Sequence, residues 1–223
     1  MPEIMLVIIP ALLGTLCFVV ARRKIISVAF LLSSAIFHTV SSIYLSLFCP
    51  HNSGASWIGI DSLNSIFLLL TSLLFLVSSV YLVIIFSMTD EYDSGEACKT
   101  SACLQFSLSA MTLVILSRHL GFMWVGMETT TLATAPLIYL HKNRNSLEAS
   151  WKYLIICSVG IGLSLIGNIF LVAAFNGGSS SCDYLLLHNL QNPGHVINQG
   201  LIKISFIFFL VGYGTKMGLV PLH

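Results

Sequence analysis

Long apolar runs, separated by short polar segments, follow one another along almost the whole chain. About 20 apolar residues are enough for a helix to cross the hydrocarbon core of a bilayer. By that measure the chain holds seven candidate spans, at 3–20, 25–49, 63–88, 102–116, 120–140, 151–175 and 200–223. The pattern therefore predicts an all-α, polytopic bundle of about seven transmembrane helices.

The segments between the runs carry residues that interrupt helices. Pro, Gly, Asn and Ser are frequent in 50–54 and 176–181, which follow the second and sixth spans. Only Ser117, Arg118 and His119 separate the fourth span from the fifth, so we expect these two helices to form a tight hairpin. The stretch 183–190 (DYLLLHNL) is expected to lie on the membrane surface as a short amphipathic turn.

Composition supports a membrane protein. The chain is 56% hydrophobic and 9% charged, with a mean hydropathy of +0.91. This is more apolar surface than the core of a water-soluble protein of this length can bury. The net charge of +1 provides no basic field for nucleic acid, and Lys and Arg are dispersed among the loops. The lipid bilayer is therefore an expected partner and nucleic acid is not.

The cysteines do not form a metal-binding motif. There are six, with no CxxC pair and no Cys/His cluster, and four fall in or at the ends of apolar runs, where cysteine behaves as a small hydrophobic residue. The sequence also lacks a nucleophile elbow, a zinc-type His pair and a phosphate loop. We expect no metal, iron–sulfur cluster or other cofactor on this chain.

Basic residues are distributed unevenly between the two sets of loops. Cytoplasmic loops of membrane proteins carry an excess of Lys and Arg. The loops after the first, third and fifth spans, with the start of the sixth, hold seven such residues, and the opposite loops hold only Arg118. The seven are Arg22, Arg23, Lys24, Lys99, Lys142, Arg144 and Lys152. This bias predicts an N-terminus outside the cytoplasm.

Two charged residues lie well inside apolar spans. Glu128 is the ninth residue of 120–140, near the midplane, and Lys216 is the seventeenth of 200–223, deeper toward the cytoplasm. One ionised group at the bilayer centre costs roughly 2.5–3.5 kcal/mol on insertion scales, so such residues are rare and usually functional. Burial raises the proton affinity of a carboxyl group, and a nearby cation lowers it. The pattern predicts a proton-loading site at Glu128.

Structural roles are the alternatives for both residues. Glu128 would then be a neutral, hydrogen-bonded carboxylic acid, helped by Thr131 three residues later on the same helix face. Lys216 would snorkel to the cytoplasmic interface from the glycine-rich segment VGYGTKMGL. Pro221 removes a backbone donor and is expected to break this helix, as happens where helices line an ion path.

Four other residues are weaker candidates. A lone His in an apolar helix, such as His38, is usually a packing residue. His223 follows the expected helix break and lies near Lys216 in sequence, which makes it a candidate proton relay. Lys203 is expected to snorkel to the outer interface, and Lys152 to act as an interfacial anchor beside two aromatic residues.

The segments around the two buried charges resemble a known family. WVGMETTTLATAPLIYLHKNRNSLEASWKYLIICSVGIGLSLIG (124–167) and LIKISFIFFLVGYGTKMGLVPLH (201–223) resemble the antiporter-like proton-translocating subunits of complex I and its relatives. They are most similar to the hydrogenase-4 component F-like members found with group 4 membrane-bound NiFe hydrogenases and formate hydrogenlyase. The first three spans match the family only in number and hydrophobicity.

The resemblance implies a fold and a site. In that family the fifth helix carries a glutamate and the broken seventh helix a lysine, thought to form a gating ion pair; Glu128 and Lys216 occupy these positions. Residues 1–101 would be transmembrane helices 1–3, and 102–223 the truncated start of the first antiporter-like repeat, helices 4–7. Family members continue past PLH with further helices that complete an inverted repeat. The chain is therefore expected to be a fragment of a longer subunit, or else to be completed by another chain.

The resemblance also implies a function and partners. The expected role is a proton-translocating membrane subunit of a redox-driven complex, NADH-quinone oxidoreductase-like or of the group 4 NiFe hydrogenase and formate hydrogenlyase type, in a prokaryotic inner membrane. NiFe or iron–sulfur and flavin centres, and quinone, would belong to other subunits and to a peripheral redox arm. A sodium/proton antiporter subunit and a membrane scaffold that moves no ions are the alternatives.

Overall fold

A computed structural model describes residues 2–20, 24–48, 56–88, 94–139, 143–175, 184–191 and 198–219. Within these ranges the secondary structure is helical apart from two isolated bridges. The helices are α1 (Pro2–Val20), α2 (Lys24–Phe48), α3 (Ser62–Met88), α4 (Ser94–Leu116), α5 (Leu120–Ile138), α6 (Arg144–Phe175), α7 (Leu187–Gln191) and α8 (Gln199–Met217). The predicted all-α bundle is confirmed, and each predicted span corresponds to one long helix.

Two helices begin earlier than the apolar pattern indicates. α4 starts at Ser94 rather than at residue 102, and α6 starts at Arg144 rather than at residue 151. The first turns of both helices are polar, so a criterion based on apolar runs does not include them. On α6, Lys152 and Glu148 form an exposed ion pair at 2.6 Å with i,i+4 spacing. These turns extend the helices beyond their apolar segments.

Among the described residues, five helices are long and apolar enough to cross a membrane, namely α2, α3, α4, α6 and α8. α1 contributes a shorter apolar helix, Glu3–Val19. α5 falls below this standard because Glu128 and the three threonines 129–131 lower its hydropathy. The chain is an integral, multi-pass membrane protein.

The helices present small polar residues to one another and large apolar residues outward. On α2, Ser27, His38 and Ser42 are fully buried, whereas Ile36 and Val40 are exposed. In lipid, helices associate through close packing and interhelical hydrogen bonds rather than through a hydrophobic driving force. The arrangement on α2 is the one expected for a helix that faces lipid on one side.

The long helices pack in two groups that meet at α4 and α5. In the first group α1, α2 and α4 pack against one another, and α3 lies against α2 and α4. In the second group α5 packs between α4 and α6, and α8 packs along α6. The two intramembrane charges therefore belong to the second group.

The link between α4 and α5 is tight, as predicted. Residues 117–119 form the whole connection and make isolated backbone bridges to Ile58, before α3, and to Leu186, before α7. The side chain of Arg118 is buried and forms an ion pair with Asp61. These contacts fix the hairpin and therefore the starting position of α5.

Glycine ends α8. The cap residue Gly218 has φ 70°, in the left-handed region that glycine adopts without steric cost, and its N–H donates to the carbonyl of Gly214. The helix therefore ends before Pro221, which lies outside the described residues. The predicted amphipathic turn at 183–190 overlaps a turn that leads into the five-residue helix α7.

Candidate functional site

Glu128 lies in the middle of α5 and contacts α6. Its carboxylate oxygen Oε1 accepts a hydrogen bond from Ser158 Oγ at 2.8 Å. Its other oxygen, Oε2, is buried and has no hydrogen-bond partner among the described residues. A buried carboxylate oxygen without a donor is costly, and protonation of the carboxyl group reduces that cost. The carboxyl group of Glu128 therefore has one oxygen bonded to α6 and one oxygen without a donor.

Lys216 lies in the last turn of α8 and reaches toward α5. Its Nζ donates a hydrogen bond to Thr131 Oγ1 and lies 5.9 Å from the ring centroid of Tyr153 on α6. Thr131 is 0% exposed. A hydroxyl group and an aromatic face both stabilise an ammonium group without carrying a full negative charge. In this arrangement the ammonium group of the half-buried lysine is held against α5 and α6.

Thr131 lies close to both charged residues. It follows Glu128 by three residues on α5, so the two side chains share one face, about 5–6 Å apart at Cβ. Its hydroxyl accepts from Lys216 and lies 3.2 Å from the carbonyl oxygen of Met127, to which it donates. It was predicted as a neighbour of Glu128, but its side chain contacts Lys216 instead.

The ion pair implied by the family resemblance is not formed in this structure. No ion pair within 4.0 Å joins Glu128 to Lys216 in the described part of the chain. Each charged group instead has its own neutral hydroxyl partner, on α6 for the carboxylate and on α5 for the ammonium. The structure brings both charges to one face of α5 and keeps them on separate partners.

Close approach of α6 and α8 sets the position of Lys216. A Cβ added at Gly160 would lie 2.0 Å from Thr215 Oγ1, and one added at Gly212 would lie 2.6 Å from the backbone nitrogen of Ser164. Glycine at these two positions leaves the space that the neighbouring helix occupies. Because Thr215 directly precedes Lys216, this contact holds the lysine-bearing turn against α6.

Contacts on either side of the carboxylate fix α5 against α6. Toward the start of α5, Trp124 Nε1 donates to the carbonyl of Ile161 at 2.8 Å. Toward its end, the hydroxyl oxygens of Thr134 and Tyr153 lie 3.1 Å apart. The carboxylate therefore lies between two fixed points of the helix pair.

Ser158 and Tyr153 are site residues that the sequence did not identify. Both lie on α6, and each contacts a residue of another helix. Sequence spacing identifies neighbours at i+3 and i+4 on one helix, but it does not identify partners across helices. In the sequence, Ser158 stands out only as a hydroxyl residue within the apolar run IICSVGIG.

The remaining sequence candidates lie elsewhere. His38 is fully buried on α2, with Nε2 2.9 Å from Thr112 Oγ1 of α4, outside the α5–α6–α8 group. Lys203 is exposed on α8. His223, the candidate relay, lies outside the described residues. Across the described ranges, no group of three or more His, Cys, Asp or Glu could hold a metal ion.

Known proteins similar to this chain are membrane subunits of respiratory and hydrogenase complexes. Residues 117–223 match the family described as NADH:quinone oxidoreductase/Mrp antiporter, transmembrane. The hydrogenase-4 component F homolog of Methylacidiphilum infernorum is 34% identical over 190 residues, which cover 82% of this chain and 39% of that protein. NADH-quinone oxidoreductase subunit N of Helicobacter hepaticus is 27% identical over 155 residues, which cover 70% of this chain and 31% of that protein. The chain spans less than half the length of these relatives.

Two solved structures share the fold. A chain of respiratory complex I from Thermus thermophilus with bound aureothin has a TM-score of 0.74 at 21% identity, covering 100% of this chain and 45% of that one. A chain of the membrane-bound sulfane sulfur reductase, an archaeal respiratory membrane complex, has a TM-score of 0.82 at 17% identity. The match covers 99% of this chain and 46% of that one. On the family match and the sequence relatives, the chain belongs to the antiporter-like membrane subunits of the complex I and hydrogenase-4 family.

Proposed function

We propose that this chain moves protons across a membrane as a subunit of a redox-driven complex, with Glu128 holding the proton and Lys216 changing its affinity. The arrangement on α5 carries this proposal. A carboxylate with one unsatisfied buried oxygen lies one helix turn from the hydroxyl group that holds the lysine. Each charged group has a neutral hydroxyl partner to which it can return.

The expected strength of the interaction is sufficient for a switch. At an effective dielectric constant of about 20, two unit charges interact by roughly 2 kcal/mol at ~8 Å and by roughly 4 kcal/mol at ~4 Å. The difference corresponds to roughly a 30-fold change in proton affinity. Movement of Lys216 from Thr131 toward Glu128 would favour the ionised carboxylate and release the proton. Return of the ammonium to Thr131 would favour reloading.

The basic residues at helix starts support an orientation for this site. Lys24 and Arg144 are the first residues of α2 and α6, and Lys99 lies in the second turn of α4. α2 and α4 run in the same direction, because Ser27 contacts Ser101 and His38 contacts Thr112. Under the rule that basic loops are cytoplasmic, these helices begin on the cytoplasmic side and the N-terminus lies on the opposite side. The proposed membrane is a prokaryotic inner membrane.

The energy for transport would come from partner subunits. Relatives of this chain are named as NADH-quinone oxidoreductase subunit N and hydrogenase-4 component F. By analogy, other membrane subunits would pack against this chain, and a peripheral redox arm would carry the NiFe or iron–sulfur and flavin centres and supply the quinone site. Within the chain, residues 1–101 would precede the antiporter-like repeat that begins at 102.

A sodium/proton antiporter subunit is the second candidate, because the matched family description includes Mrp antiporters. Such a subunit would use the same residues and differ in its ion and in the absence of redox drive. Transport that requires sodium and proceeds without an electron donor would favour it. A scaffold that moves no ions predicts that neutralising Glu128 and Lys216 affects stability alone.

Proton pumping by the assembled complex in membrane vesicles tests the proposal. Glu128→Gln is expected to abolish pumping while the complex still assembles. Glu148→Gln is the matched control, because Glu148 is exposed and pairs with Lys152 at the polar start of α6; pumping should be retained. Unchanged pumping in Glu128→Gln, or equal loss in both variants, would contradict the assignment of Glu128.

A further inference from the structure

Two cysteines from distant parts of the chain meet between α1 and α4. Cys17 and Cys98 are separated by 81 residues in sequence, and their sulfur atoms lie 4.0 Å apart. Cys17 is 0% exposed and Cys98 is 5% exposed. Each thiol also contacts the other residue's backbone carbonyl, at 3.8 Å from Cys17 Sγ and 2.8 Å from Cys98 Sγ. Their side chains therefore face each other directly.

The two thiols lie near the ends of their helices, beside both polar and apolar side chains. Ser27 Oγ lies 3.6 Å from Cys17 Sγ, 2.9 Å from Ser101 Oγ and 3.1 Å from the carbonyl oxygen of Ala97. Cys17 is the fourth residue from the end of α1, and Cys98 is the fifth residue of α4. At 1.5 Å per residue, each thiol therefore lies about one turn from an end of its helix.

We propose that Cys17 and Cys98 form a redox-active dithiol that closes to a disulfide between α1 and α4. A disulfide bond is about 2.05 Å long, so the sulfur atoms must approach by roughly 2 Å. Rotation of two cysteine side chains that already face each other supplies a movement of this size.

The reaction is a thiol–disulfide exchange with a small disulfide as oxidant. One cysteine sulfur attacks the oxidant, forms a mixed disulfide and displaces one small thiol. The second cysteine then attacks the mixed disulfide, forms the Cys17–Cys98 bond and displaces the second small thiol. The two cysteines lose two electrons and two protons, and the oxidant gains them.

The bond would join helices that are far apart in sequence. It would close a loop that contains α2 and α3, and it would tie α1 to α4 covalently. Cross-links over long loops restrict the unfolded chain and raise stability. The dithiol lies in the α1–α2–α4 group and is separate from Glu128 and Lys216, so its test does not depend on proton transport.

Cross-link mapping in membranes tests the proposal. Cys49 and Cys182 are replaced by Ser, so that only the four described cysteines remain. Membranes are treated with oxidised glutathione or with diamide, a small azo oxidant that accepts the same two electrons and two protons. Free thiols are then blocked, and the protein is digested and analysed by mass spectrometry. We expect a peptide pair that links Cys17 to Cys98. Its mass should be two hydrogen atoms less than the sum of the two reduced peptides, and dithiothreitol should separate it into those two peptides.

Single substitutions supply the controls. Cys17→Ser and Cys98→Ser should each abolish the linked peptide, while Cys103→Ser and Cys157→Ser should retain it. Either of the first two variants is sufficient if the other fails to fold. Complete alkylation of both thiols after each oxidant, or linkage of Cys98 to another cysteine at a similar yield, would overturn the proposal. The oxidised protein should also unfold at a higher temperature than the reduced protein, with no such difference in Cys17→Ser.

Discussion

At the scale of single residues, the site depends on hydroxyl groups as well as on charges. Ser158 holds the carboxylate of Glu128, and Thr131 holds the ammonium of Lys216. A buried salt bridge is costly to separate, because each charge is then left without a partner. A neutral hydroxyl partner gives each charged group a hydrogen bond when the other charged group is distant. This arrangement suits a pair that opens and closes repeatedly.

Thr131→Val tests the role of Thr131 as a positioning residue for Lys216. Valine has nearly the same shape but cannot accept the hydrogen bond from the ammonium group. Because hydrogen bonds to charged groups contribute about 1.5–3 kcal/mol, the rate of proton transport should fall roughly 10-fold or more. Thr131→Ser should restore most of the rate, since it keeps the hydroxyl group.

Thr129→Val is the matched control on the same helix. Thr129 is exposed, and its hydroxyl bonds to the carbonyl of Val125 within α5. Its substitution should leave transport nearly unchanged. Equal rates in the Thr131→Val and Thr129→Val variants would show that the contact with Lys216 does not matter for transport.

The sequence predicted the two charged residues and missed their partners, for a physical reason. A charge in an apolar span is costly wherever the helix packs, so Glu128 and Lys216 are visible without any structure. Ser158 is one of many serines in apolar runs, and serine carries little cost there. Its importance depends on which helix faces it, and that depends on the packing of α5 against α6.

At the scale of helices, the contact between α6 and α8 determines whether Lys216 reaches α5. Gly160→Ala should disturb this contact, because the added methyl group would lie 2.0 Å from Thr215 Oγ1. Overpacking of this kind typically costs about 1–3 kcal/mol. We expect a lower unfolding temperature and reduced transport, because the lysine-bearing turn must move away from α6.

Gly162→Ala is the control for the same helix. A Cβ at Gly162 meets no atom within 4 Å, and alanine favours helix more than glycine does. Its unfolding temperature should be unchanged or slightly higher. A similar decrease in both variants would mean that the effect comes from glycine replacement in α6 in general and not from contact with α8.

The sequence predicts which segments form helices more accurately than it predicts where those helices begin and end. All seven long helices follow apolar runs, because lipid requires every backbone group of a span to be paired within the span. The starts of α4 and α6 lie in polar turns outside those runs. The end of α8 is set by the left-handed conformation of Gly218, whereas Pro221 was the expected breaker.

At the scale of the whole molecule, the described helices form one group around His38 and Thr112 and another around Glu128 and Lys216. The first group is packed through small polar side chains and contains the Cys17–Cys98 pair. The second group contains the proposed transport site. Apolar pattern alone could not assign helices to these groups, because pairing between spans depends on side chains that meet across the bundle. The relatives are more than twice as long as the part matched here. The proposed transport is therefore tested in the full-length subunit within its complex.

The central claim is that Glu128 changes protonation during turnover under the control of Lys216. Infrared difference spectroscopy of the assembled complex, with electron donor added to start turnover, measures this directly. We predict a change in the carbonyl stretch of a protonated carboxyl group that disappears in Glu128→Gln, shifts in Lys216→Met and is retained in Glu148→Gln. A spectrum without such a band, or one with a band that is the same in Glu128→Gln, would contradict the account.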